Sequence, residues 1–251
     1  MGKKRPIWDY QHYLRYLKEG RGQGTGKTYK PWIYIHDFPS QGISVRIPGR
    51  TTGRIHHLLS RNEEFYFYIL DADPDVLDIR EQFPLRLSET MEIARKLNIR
   101  HPWKNDFPFV MTTDFLITRS DGLYARTVKS SDELDNPRVI GKFSIEHAYW
   151  SSKGIDWKII TERQICRDKA LNLQWLYSGE LPEKLIPDQD IRKKAMETLR
   201  SFIDRDGVLP ANCIAPFEDA LRLRPGSAIS LYKSFILNGD ISLDLNRKVF
   251  Y

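Results

Sequence analysis

The sequence predicts an α/β protein: a mixed β-sheet with helices packed against it, followed by a small, mainly helical, winged-helix-like domain. Short β-rich runs alternate with helix-period runs between residues 60 and 161. A preferred hairpin turn, Asp121-Gly122, separates two of the β runs. After Gly179 the pattern changes to helices.

Each element has its own signal. Tyr10 to Glu19 reads as a short amphipathic helix, because Tyr13, Leu14 and Leu17 fall on one face and Gly20 stops it. A glycine-rich loop follows over residues 21–28, and β-like stretches are expected at Trp32–Ile35 and Ile43–Ile47. A helix should begin at Ser60 and run to Leu70. Val76–Phe83 reads as a strand ended by Pro84, and Ser88–Leu97 as a helix. Phe109–Thr118 and Leu123–Val128 are the hairpin strands, Phe143–Lys153 a helix closed by Gly154, and Trp157–Thr161 a further strand. Beyond residue 180, helices are expected at Asp188–Arg205, Ala215–Leu223 and Ser227–Leu237, then a strand at Asp240–Leu245. Three helices and a β element suggest the winged-helix-like domain, and the division is placed at 1–170 and 171–251.

Of the 251 residues, two are cysteines, Cys166 and Cys213, too few for a disulfide framework and not spaced for zinc. No apolar run approaches the ~20 residues of a membrane span, and no signal-peptide core is seen, so a cytoplasmic protein with no membrane contact is expected. The net charge is +6. Residues 1–60 hold eleven Lys/Arg against Asp9, Glu19 and Asp37, a balance of +8, so the positive excess lies wholly there. Such one-sided charge suits a phosphate backbone, and it also suits a solubilising face.

Gly24-Thr25-Gly26-Lys27-Thr28 imitates a nucleotide-binding loop, but Arg21 stands where the first glycine of a P-loop belongs. A helix precedes the loop and Pro31 follows it, the reverse of the strand-to-helix setting that phosphate binding needs. A flexible basic loop fits these residues better.

The hairpin carries the chemistry. With a symmetric Asp121-Gly122 turn, Ser120 faces Leu123 and Asp114 faces Lys129, with Leu116 and Thr127 on the same side. A one-residue bulge would break that alignment. A carboxylate beside an ammonium suits metal-assisted phosphodiester hydrolysis, and it also suits an ordinary cross-strand salt bridge. Glu63 is a third candidate, but Ser60-Arg61-Asn62-Glu63 matches a helix capping box as well; Glu64 is its neighbouring alternative.

Several blocks in order resemble one family: GRGQGTGK at 20–27, TGRIHHLLS at 52–60, LDIREQFPL at 77–85, MTTDFL at 111–116, Tyr149-Trp150, and WLYS at 175–178. They resemble the TnsA family, endonuclease subunits of heteromeric cut-and-paste bacterial transposons, over roughly residues 18–178. The resemblance implies a restriction-endonuclease-like domain of the PD-(D/E)xK type. It implies Glu63, Asp114 and Lys129 as catalytic residues, and Mg²⁺, replaceable by Mn²⁺, as cofactor. Metal ligands would be Glu63, Asp114 and Thr127, the last at a position where related nucleases carry Glu or Gln. The implied activity is cutting of the 5′ strand at transposon-end DNA, alongside a DDE-type, TnsB-like transposase and an AAA+, TnsC-like regulator. The alternative is a non-catalytic DNA-binding and assembly subunit, with Thr127 in its favour. Lys193, Lys194, Arg200, Arg222 and Arg224 would let the C-terminal domain contact DNA or a protein.

Overall fold

The computed structural model describes residues 8–37, 44–179, 184, 186, 188–203 and 207–250. The chain divides into two compact units between Ile165 and Cys166.

The first unit is built on a sheet of β3 (Val76–Pro84), β6 (Thr112–Arg119), β7 (Gly122–Val128) and β8 (Asp156–Ile160), in the order β3-β6-β7-β8. The first three run antiparallel, while β7 and β8 are parallel, so the sheet is mixed as expected. The connection between the parallel pair contains α4 (Pro137–Ser151), opened by the Asn136 cap and Pro137. Together with α3 (Leu87–Lys96) it covers one face of the sheet, where Leu85, Ala94, Met111, Leu116, Ala125, Ile145 and Trp150 form the core. On the other face lies α2 (Arg61–Asp71), whose Tyr66 ring meets Phe115 edge-on at 5.7 Å. Small hairpins, β1 (Val45–Pro48) with β2 (Ile55–Leu58) and β4 (Trp103–Lys104) with β5 (Phe107–Pro108), complete the strands.

The segment expected as a strand at Trp32–Ile35 is a bend and turn. Trp32 and Ile33 are buried in an aromatic cluster with Trp8 and with Tyr16 of α1 (Tyr10–Lys18), and the Asp37 carboxylate accepts the Tyr34 N–H at 2.8 Å. Side-chain burial and that turn replace a strand ladder. The glycine loop has a packing role: a Cβ on Gly22, at φ +76°, would lie 2.2 Å from Pro84 Cγ. Part of the expected strand at 43–47 lies outside the described residues; Val45–Pro48 forms it.

The second unit is helical: α5 (Arg167–Tyr177), α6 (Gln189–Phe202), α7 (Ile214–Ala220) and α8 (Ser227–Leu237). The helix α5 had no counterpart in the sequence reading. Asp188 caps α6 by accepting from the backbone of Asp190 and Ile191; residues 204 and 205 of that expected helix lie outside the described ones. The central helix is α8, with Leu231, Tyr232, Phe235 and Ile236 buried, and the Glu218 carboxylate accepts from the Ala228 N–H at its start. No strand forms at 240–245 among the described residues, so the expected β wing is not there. The Asp240 N–H instead closes the end of α8 on the Phe235 carbonyl. Beyond it, Asn172 of α5 donates to the carbonyls of Leu245 and Arg247 and accepts from the N–H groups of Val249 and Phe250.

Candidate active site

Glu63 sits in the first turn of α2 because Ser60 caps that helix, its hydroxyl accepting from the Glu63 N–H. The reciprocal half of the capping box is displaced by one residue: the Glu63 carboxylate accepts from the N–H of Leu59, at 3.0 Å. One oxygen can serve the helix end while the group as a whole stays at the sheet. Glu64, the alternative, is paired with Arg61.

Asp114 is reached through a register that differs from the expected one. The hairpin pairs Arg119 with Gly122 and Phe115 with Arg126, so Ser120-Asp121 forms the turn. Continuing this register puts Asp114 across from Thr127, not Lys129. A shift of two leaves side chains on their faces, but the regular pairing stops at Phe115. Beyond it the alternation breaks: Phe115 faces α2, and Asp114 also reaches toward α2, while Leu116 lies in the cluster with α4.

The residue that joins Glu63 and Asp114 is Gln82, to which no sequence motif assigns a role. Its amide nitrogen donates to Asp114 Oδ1 at 3.1 Å and lies 3.5 Å from Glu63 Oε2, while its carbonyl accepts from the Thr112 hydroxyl. Gln82 is 2% exposed and has φ +47°, a left-handed conformation uncommon for a non-glycine residue within a strand. Asp114 Oδ2 accepts in addition from the Val128 N–H at 2.7 Å. Neither carboxylate forms an ion pair with a described residue. Burial and the negative charge of Asp114 push the Glu63 carboxyl up to about 8. Burial pushes Asp114 up to about 6, with the Val128 N–H, the Gln82 amide and the Lys129 charge pulling it down.

Lys129 follows β7 and pairs with Glu133 at 2.6 Å. It is therefore not the direct cross-strand partner of Asp114, although its charge is felt there. Glu63, Lys129, Asn62, Ser130 and Glu133 line one cleft of about 270 Å³.

Thr127, expected as a metal ligand, commits its hydroxyl elsewhere. It donates to Glu146 of α4 and accepts from the Trp157 indole at 3.1 Å. Glu146, 3% exposed, also accepts from the Thr113 hydroxyl at 2.6 Å, and burial pushes its carboxyl up to about 7. Glu146 was not singled out from sequence. The available signal was an acid sharing a helix face with Tyr149 and Trp150, three and four positions on.

Two cations of the basic first quarter are structural. Arg21 is buried against Asp37 and Glu19. Arg54 forks onto Glu81, which is fully buried and also bonded to His56 at 2.8 Å. Against the effect of burial, His56 and Arg54 hold the Glu81 carboxyl at about 2.

The carboxylates of Glu63 and Asp114 are oxygen donors of the kind hard divalent cations take, while the Gln82 amide presents its nitrogen to them and is no ligand. Among the described residues no group of three or more His, Cys, Asp or Glu is placed to hold a metal, so protein carboxylates would supply only part of a coordination shell. No helix among the described residues is long and apolar enough to cross a membrane.

Residues 73–162 match the family of TnsA-like endonuclease N-terminal domains, and residues 164–245 match the TnsA endonuclease C-terminal domain. The transposon Tn7 transposition protein TnsA of Escherichia coli is 42% identical over 186 residues, covering 73% of this chain and 68% of that protein. With this fold and these matches, the chain belongs to the TnsA-like family of transposition endonucleases.

Proposed function

We propose that this endonuclease uses a divalent cation, Mg²⁺ or Mn²⁺, to hydrolyse the 5′ strand at transposon ends, with Glu63, Asp114 and Lys129 as its catalytic residues. The observation that carries this reading is the buried pair Glu63 and Asp114, bridged by one amide and not neutralised by any described cation in an ion pair. Two such acids are costly to ionise together, and a cation held by them would offset that cost. When bound, the cation activates water and neutralises charge growing on the phosphate.

The protein's own groups do the rest. Glu63 and Asp114 would hold the cation, and Gln82 fixes the two carboxylates relative to each other. Lys129, released from Glu133 when a phosphate enters the cleft, directs its ammonium at the phosphoryl oxygens. Glu146 braces β6 and β7 together through Thr113 and Thr127, behind the strand ends that carry the site. Partners follow from the relative's role in Tn7 transposition: a TnsB-like transposase of the DDE type that cuts and joins the other strand, and a TnsC-like AAA+ regulator.

The test is nicking of end-labelled transposon-end DNA in the reconstituted complex. Cutting of the 5′ strand should require Mg²⁺ or Mn²⁺ and should vanish in Asp114→Asn. Equal cutting in excess EDTA would refute the metal reading.

A further inference from the structure

A second cleft lies in the first unit, between residues 99–103 and the start of α4. It has a volume of about 450 Å³, and Ile99, Arg100, Trp103, Arg138 and Lys142 are among its lining residues. The floor is tight: a Cβ on Gly141 would stand 3.1 Å from Ile99 Cγ2, so glycine lets α4 approach that segment closely.

The walls are basic. Arg21, Arg54, Arg119 and Arg126 are all engaged by carboxylates. Arg100, Arg138 and Lys142 form no ion pair with a described residue, and all three are exposed. Arg138 and Lys142 stand four apart on α4, on one face, about 5–6 Å apart at Cβ. Beside them the Trp103 ring is 49% exposed, a large apolar surface that the fold leaves uncovered. Three unneutralised cations and an open indole in one concave cleft match the two faces of a nucleotide, phosphate and base.

The position matters as well. Glu133 lines the cleft of Glu63 and Lys129, and Pro137, four residues on, lines this one. Residues 133–137 thus connect the lining of one cleft to that of the other.

We propose that the cleft of Arg100, Trp103, Arg138 and Lys142 holds an unpaired stretch of the DNA strand next to the cut, with its phosphates on the three cations and a base stacked on Trp103. This rests on the endonuclease reading above. Unpaired DNA is favoured over duplex because bases inside a duplex are already stacked and offer no free face to an indole.

The experiment is fluorescence anisotropy of a labelled dT oligonucleotide and of a duplex of equal length, with the full chain in EDTA at low salt. The single strand should bind more tightly than the duplex. Trp103→Ala should weaken single-strand binding about fivefold or more, with Trp103→Phe retaining most of it. The triple variant Arg100→Ala/Arg138→Ala/Lys142→Ala should flatten the log–log salt dependence by about 2, since each phosphate on a single strand contributes ~0.7. Failure of the parent to bind, equal affinity for duplex, or parent-like binding by Trp103→Ala would overturn the proposal. Nicking in Mg²⁺, measured separately, reports on the catalytic reading, so either can fail without the other.

Discussion

Replacing Asp114 by asparagine should stabilise the protein while abolishing cleavage. Asp114 and Glu63 share one amide donor at 3.1 and 3.5 Å. An aspartate held at about 6 instead of its usual 3.8 corresponds to about 3 kcal/mol against the ionised form, at 1.36 kcal/mol per tenfold. The sign follows from the raised value: the penalty is absent below the unfolded value near 3.8 and complete above about 6. Stability of the metal-free protein should therefore fall as pH rises through that window, and keep falling as Glu63 ionises toward about 8. Asparagine removes the charge and keeps one acceptor oxygen, but it cannot serve both the Val128 N–H and the Gln82 amide equally. Discounting for that, the gain at pH 8 should be about 1–2 kcal/mol, or ~3–6 °C in Tm for a chain of this size. The assay is thermal melting of parent and variant in EDTA at pH 4 and pH 8, then with Mg²⁺. The variant should lead at pH 8, the difference should shrink at pH 4, and Mg²⁺ should raise the parent's Tm only. A variant less stable than the parent at pH 8 would refute the idea that burial opposes the Asp114 charge.

Lys129→Ala should slow single-turnover cleavage by about 10²–10³, the cost of losing one donor to a developing charge, with DNA affinity nearly unchanged; a parent-like rate would leave Lys129 as the partner of Glu133 alone. Arg54→Ala strands the buried Glu81 charge and should cost about 3–5 kcal/mol in urea unfolding; a loss under 1 kcal/mol would show that His56 suffices. Glu146→Ala removes the shared acceptor of Thr113 and Thr127 and should cost about 1–3 kcal/mol, while Glu146→Gln, which keeps an acceptor, should melt close to the parent. Unequal melting of parent and Glu146→Gln beyond that range would mean the charge itself is used.

Much of the fold is legible in the sequence because it is local. The hairpin strands, α2, α3 and the strand at 76–84 follow from periodicity and turn residues within a few positions. The register error at the hairpin has a small cause: Asp121-Gly122 contains the preferred turn residues, but Gly122 is the first residue of β7, and the turn lies one place earlier. The site was legible in part. Glu63 and Asp114 are brought together, but Thr127 faces Glu146, and Lys129 stands beyond the strand end. Gln82 and Glu146 acquire their roles through partners 19 to 33 positions away, and no periodicity reports such a pairing. The same holds for Arg21 and Arg54. By charge they look like phosphate ligands; the carboxylates that claim them are visible only in the folded chain.

The bridge made by Gln82 has a consequence for the spacing of the two acids. Its carbonyl is tied to the Thr112 hydroxyl, so the nitrogen end must face the two acids, and its left-handed backbone fixes where that nitrogen stands. An amide nitrogen has two hydrogens, one for each carboxylate. The gap between the acids is therefore set by the scaffold and not by the guest. Were the two acids to hold a cation, as proposed, the ion would have to fit a separation it did not choose. The spacing of two buried charges is thus set by a strand residue that carries no charge at all.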